Sequence, residues 1–208
     1  MPARKRPTRR DAAPPGPDRI VDAALALAAE RSWRDISLAD IAAEAGGSLA
    51  DVHAAFRSKP AILAAFVDRI DDAVLAGMDP GAAGEPVRDR LMDTLLRRLD
   101  ALKPYKESVR ALVRDGGGDP LAGLCGAARL LRSMAWTLEA AGVSSAGLPG
   151  CVRVKGLAAI YLSTMRVWLA DDSEDSSRTM AHLDRRLQQA ERLLAWLPRP
   201  PRYRQAAA

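Results

Sequence analysis

His53, His182, Cys125, Cys151 and the carboxylates are the side chains best suited to metal binding or nucleophilic chemistry, and their spacing assembles neither. The two histidines stand apart, without an HExxH pattern or an acidic partner at ligand spacing. The cysteines form no CxxC and have no histidine nearby, so in their apolar helical surroundings they read as reduced core residues of a cytosolic protein. GxSxG, P-loop and GxGxxG patterns are absent, and Gly116-Gly117-Gly118, with no Lys after it, reads as a hinge. The expectation is a protein that is not an enzyme, with no catalytic residues, no metal site and no cofactor.

The charges point instead to phosphate. Residues 1–19 carry Arg4, Lys5, Arg6, Arg9, Arg10 and Arg19 against Asp11 and Asp18, and the tail adds Arg199, Arg202 and Arg204. With the whole chain at +5, the stretch between is net acidic, so the basic excess sits at the ends. A basic arm of this kind suits double-stranded DNA, whose phosphates release counterions on binding, or serves as a solubilising terminus; for DNA, Arg4, Lys5 and Arg6 are its expected contacts.

Helices must carry these groups. The chain is 208 residues long, 48% apolar and only 4% aromatic, and is rich in Ala, Leu and Arg, which lose little side-chain freedom in a helix. Apolar/polar alternation of the strand type is missing, so the class is all-α. Residues 1–17 hold five prolines and read as a flexible basic arm. From Asp18, Ile20, Ala23, Ala24, Leu27 and Ala28 form one stripe on a helix ending near Ser32. Ser37 caps a short helix stopped at Gly46-Gly47, Ser48 caps another over 49–55, and Ser58-Lys59-Pro60 opens a longer one to about Met78. The Pro80–Gly84 stretch marks a domain boundary. Beyond it, five segments at about 86–101, 104–115, 120–141, 149–171 and 175–197 complete about nine helices. The division is a helix-turn-helix domain over 18–78, a bundle over 85–198 and a flexible tail over 199–208. No apolar run reaches the ~18–20 residues of a membrane span, and the N-terminal region does not read as a signal peptide, so the expected location is cytoplasmic.

The stretch Ser37–Phe56, SLADIAAEAGGSLADVHAAF, has the parts of a helix-turn-helix: two short helices and a glycine turn, held by Ala45, Val52 and Phe56. With the A-A-L helix before it, Trp33, IAAEAG, and FRSKPAIL after it, residues 18–70 resemble the DNA-binding domain of the TetR family of transcriptional regulators. The resemblance implies groove or phosphate contacts at Ser37, Ser48, His53 and Lys59, with Leu49 and Ala50 on the first turn of the recognition helix. The chain departs from the family with Leu49 in place of a basic or polar residue, Asp51 in place of Thr or Ala, and His53 in place of a phosphate-contacting Tyr. Residues 18–70 also carry six basic against eight acidic side chains, which leaves much of the affinity to the arm.

Two further expectations concern the second half. Met134 and Trp136 on one helix, and Tyr161, Met165 and Trp168 at i, i+4, i+7 on another, are candidate lining for a small hydrophobic ligand. Met180, Leu183, Leu187 and Leu194 lie on a heptad seam of the last helix that suits a homodimer interface. Residues 156–187, with L-A-x-x-Y, D-x-S-x-D and L-D-R-R, resemble the COQ9 family of ubiquinone-biosynthesis accessory proteins. That resemblance implies an alternative: a protein that binds a lipid or quinone precursor and has lost DNA binding.

Overall fold

The structure is a computed structural model that describes residues 14–115, 120–173 and 175–194, with side chains throughout except at 80, 83, 120–125 and 194. The arm at 4–6 and the tail at 199–208 lie outside the described residues. The described residues form nine α-helices: α1 Pro17–Glu30, α2 Leu38–Glu44, α3 Leu49–Ala55, α4 Lys59–Ala76, α5 Val87–Leu102, α6 Lys106–Asp115, α7 Pro120–Ala140, α8 Gly147–Leu169 and α9 Ser177–Leu194. No strand occurs among them. None of the described helices is long and apolar enough to cross a membrane.

Two compact units emerge, and their division does not follow the chain order. The first joins the residues up to Ile70 with Leu102–Ala127; the second joins Asp71–Ala101 with the chain from Ala128 onward. The break expected at 80–84 is a 3-10 turn, Pro80–Gly84, capped by the Asp79 side chain, and it falls inside the second unit. Helix α6, expected in the C-terminal bundle, belongs to the first unit because its buried Ser108, Val109 and Ala111 face α1. Ser108 Oγ donates to Leu25 O at 2.8 Å, and Trp33 N donates to Asp115 Oδ2 at 2.7 Å.

In the first unit, Pro17 starts α1 at a position where its missing N–H costs nothing. The helix buries Ile20, Val21, Ala24, Leu25 and Ala28. Val21 and Leu25 fall outside the expected stripe, which widens because α1 packs against α2, α3 and α6. Phe66 of α4 meets Tyr105 edge-on at 5.1 Å, with the Arg69 guanidinium 5.3 Å from the Tyr105 ring and 5.7 Å from the Phe66 ring. Arg69 Nε and Nη2 are buried with no hydrogen-bond partner among the described residues, while Nη1 holds Asp22 at 2.8 Å.

In the second unit, Leu95, Leu99, Met134, Leu138, Leu157, Trp168 and Leu183 form the core. A polar cluster crosses it. Arg98 pairs with Asp71, Ser133 Oγ donates to Asp71 Oδ1 at 2.6 Å, and the Arg98 guanidinium lies 5.4 Å from the Tyr161 ring. Between α8 and α9 the buried Asp171 accepts from Ser173 Oγ at 2.5 Å, Thr179 N at 2.9 Å and Thr179 Oγ1 at 2.7 Å. These bonds hold its carboxyl far below the usual range and fix the start of α9. Ser176, in the same turn, takes the left-handed conformation at φ 52°.

Candidate nucleic-acid interface

The helix-turn-helix is built by two copies of one local device. The tetrapeptide Ser-Leu-Ala-Asp occurs at 37–40 and again at 48–51. In each, the Ser side chain accepts from the Asp backbone N–H and the Asp carboxylate accepts from the Ser backbone N–H, a reciprocal cap that satisfies the open end of the helix. The distances are 2.8 Å for Ser37 N to Asp40 Oδ2 and 2.7 Å for Ser48 N to Asp51 Oδ2. The same bonds, from the Ser37 backbone N–H first at Asp40 and from the Ser48 hydroxyl first at Asp51, lower both acid pKa values.

Between the two caps the chain turns on Gly46, whose φ of +72° suits glycine. Gly46 N donates to Ala43 O at 3.1 Å and Gly47 N to Ala42 O at 2.9 Å, the paired bonds of a Schellman helix end. Ile41, Ala45 and Val52 are buried beneath, and they fix the angle between α2 and α3. Leu49, Ala50, His53 and Ala54 face outward, with Leu49 53% exposed. α3 is therefore a short rigid helix held by one face and open on the other. Arg57 Nη1 donates to His53 Nε2 at 3.2 Å, so a guanidinium missing from the sequence expectation stands beside the outward face.

Three expected contacts have other work. The Ser37 and Ser48 hydroxyls are engaged by their caps, donating at 2.8 Å and 2.7 Å to the paired aspartates. Lys59 turns inward: its Nζ donates to Trp33 O at 2.6 Å and to Ile36 O, and lies 4.6 Å from the Trp33 ring centre. Burial lowers its pKa, partly offset by Asp35 and Asp40. It closes the turn at 33–36 instead of reaching outward. Asp51, expected as an anion aimed at DNA, is the cap of its own helix.

The first described residues add a feature that spacing alone does not reveal. Pro15 is buried over the turn, where its ring carbons lie 2.5 and 2.7 Å from the place a Cβ on Gly47 would take. Arg19 Nη2 lies 2.9 Å from the corresponding place on Gly46. Glycine is thus required at 47 by close approach, and Pro15 packs at the edge of the helix-turn-helix.

The residues expected to line a ligand pocket are divided between core and surface. Met134, Tyr161, Met165 and Trp168 are buried core, whereas Trp136 is 55% exposed. The depression that Trp136 shares with Arg98, Ser133 and Asp71 has no room for a water molecule. The expected dimer seam is also divided: Leu183 and Leu187 are buried within the chain, Met180 is on its surface, and the Leu194 side chain lies outside the described residues. Large, well-packed side chains look alike in sequence whether they line a pocket, an interface or a core. Cys151, expected in the core, is exposed, and the Cys125 side chain is outside the described set.

Comparison with known proteins agrees with this geometry. Residues 20–66 match the model of bacterial regulatory proteins of the tetR family, and residues 153–194 match the COQ9 model. No curated protein matches the sequence. Among solved structures, a TetR transcriptional regulator from Rhodococcus sp. RHA1 is 20% identical at a TM-score of 0.63, covering 87% of this chain and 96% of that one. A tetR-family regulator from Streptomyces coelicolor is 18% identical at 0.53, covering 88% and 93%. These two share the fold. A TetR transcriptional regulator from Nitrosomonas europaea ATCC 19718 goes further, with 30% identity, a TM-score of 0.70, and coverage of 84% of this chain and 97% of that one. With a helix-turn-helix built as described and a relative matched at that identity over nearly its whole length, the chain belongs to the TetR family of transcriptional regulators.

Proposed function

We propose that this chain is a cytoplasmic, homodimeric regulator that binds double-stranded operator DNA through α3 and the basic arm, and whose second unit takes a small hydrophobic effector. The observation that carries the reading is α3 itself, capped at its start, pinned through Val52 and open along Leu49, Ala50 and His53. Such a helix fits a major groove. Its outward face has no lysine or arginine of its own, so affinity rests on Arg57 and on Arg4, Lys5 and Arg6 of the arm. For the second copy, Leu148 and Leu162 of α8 and Met180 of α9 supply exposed apolar surface that the buried Leu183 and Leu187 do not.

The test is binding to the chain's own promoter fragment across a salt series, with the full chain and with residues 1–13 removed. Truncation at 13 spares the buried Pro15, which a cut at 17 would remove. The full chain should show a log-affinity that falls steeply with log salt. Each lost phosphate contact should flatten that slope by about 0.9, and the truncated chain should bind at least about tenfold more weakly. No binding by either chain at low salt rejects the regulator reading. It favours a COQ9-like protein that holds a lipid or quinone precursor without binding DNA, the alternative supported by the match over 153–194 and by the uncharged outward face of α3.

A further inference from the structure

A cavity of the second unit is lined by none of the residues expected to line a pocket. It is a groove of about 640 Å³ between α5, the end of α7, α8 and the end of α9. That volume is within the range of small-molecule sites, about 300–1,000 Å³. Leu138, Leu157 and Leu187, all nearly inaccessible, contribute to its lining from three different helices. Val87, Val152 and Leu193 line it too and stay exposed at 44%, 63% and 73%. Exposed aliphatic side chains beside a concave apolar surface leave that surface without a partner among the described residues.

The lining also defines the chemistry of an occupant. It contains no aromatic ring among the described residues, so nothing in it stacks a planar guest; its apolar contacts are all aliphatic. Two arginines, Arg88 and Arg153, and one acidic side chain, Glu191, are the charged residues of the lining. Each guanidinium is positioned from one side, Arg88 Nε on Asp89 Oδ1 at 3.2 Å and Arg153 Nη1 on Ser144 O at 3.0 Å. Gly156, in the wall, has open space where a Cβ would be, so the groove is wide there because the residue is small.

The geometry points to a binding site for an aliphatic carboxylate of the fatty-acid class, its chain laid along the leucine surface and its carboxylate held by Arg88 and Arg153. The inference rests on the proposal that the second unit takes an apolar guest, and it moves that guest to a specific place. Arginine suits the head group because its fork matches a carboxylate.

The test is calorimetry on the full chain with dodecanoate, dodecanol and dodecyltrimethylammonium, each below micelle formation, with DNA binding measured separately on the same preparations. Dodecanoate should bind at least tenfold more tightly than dodecyltrimethylammonium. The double variant Arg88→Gln/Arg153→Gln should lose about tenfold for dodecanoate and little for dodecanol. Gly156→Phe should block both guests while keeping the helical circular-dichroism spectrum, and the arginine variants keep the site testable if that chain does not fold. Dodecanoate bound equally by wild type and Gly156→Phe overturns the site while leaving an effector elsewhere and the DNA reading intact. No binding by wild type overturns it as well. A Gly156→Phe chain that changes its monomer–dimer equilibrium and not its ligand affinity assigns the groove to a second copy and also overturns the proposal.

Discussion

Lys59 and Leu183 show how far a residue's type constrains its role. Family resemblance assigns Lys59 to phosphate, yet its ammonium is committed to Trp33 O and Ile36 O and lies on the Trp33 ring. A lysine after a helix-turn-helix reads the same in sequence whether it reaches outward or folds back, because only the carbonyls around it decide. Leu183 makes the same point for apolar residues. The 3–4 spacing of the α9 seam was legible and correct as an amphipathic pattern, but spacing cannot say whether α8 of the same chain or a second chain covers it. Leu183 is fully buried within the chain. Leu183→Ala should therefore destabilise the protein by about 2–5 kcal/mol, the cost of a truncated leucine plus its cavity. The loss, measured by urea unfolding, should be the same at low and high protein concentration. A penalty that shrinks on dilution would return Leu183 to an interface.

Most helices were legible as elements, since caps and breakers are written locally. Ser48, Asp51 and the glycine pair bound α3 at 49–55, as their chemistry requires. Partners were not. The strong amphipathic pattern of α6 announced a buried face without saying that α1 would cover it, and the cut at Pro80–Gly84 consequently put α6 with the wrong neighbours. Nor did any pattern link Pro15 to Gly47, thirty-two positions apart. That contact yields a test of the element as a whole. A Cβ at Gly47 would stand 2.5 Å from Pro15 Cγ and 3.2 Å from Asp51 Oδ2, so Gly47→Ala should push Pro15 off the turn while α2 and α3 keep their caps. DNA affinity should fall about tenfold in the full chain. In a chain lacking residues 1–13 the same substitution should cost far less, because the arm it misdirects is gone; equal losses in both would mean that the turn and the arm act independently.

Across the whole molecule the ionised caps share one sign of pH dependence. Asp40, Asp51, Asp115, Glu139, Asp171 and Asp175 each accept bonds from a backbone N–H or hydroxyl, and each has its pKa lowered mainly by them. Their contribution to folding is present above the unfolded carboxylate values of 3.8 and 4.5 and is lost as pH falls through the lower folded values. His182 acts in the same direction at higher pH. Burial first, then Arg186 and Arg185, lowers its pKa below 6.5, while Ser163 Oγ sits 3.2 Å from its Nε2. The neutral ring is the form the fold accepts, so its contribution is complete above pH 6.5 and declines below it. Stability measured by urea unfolding should hold between pH 9 and 7, fall gently below 6.5, and fall steeply below about 4. The first limb, being one proton, has a slope of at most about 1.4 kcal/mol per pH unit. His182→Gln should remove that limb and leave the acid collapse, which belongs to the carboxylates, unchanged. A wild-type protein that gains stability between pH 7 and 5, or a His182→Gln protein with the same gentle decline, would show that His182 is accepted as its cation and that another group titrates in this range.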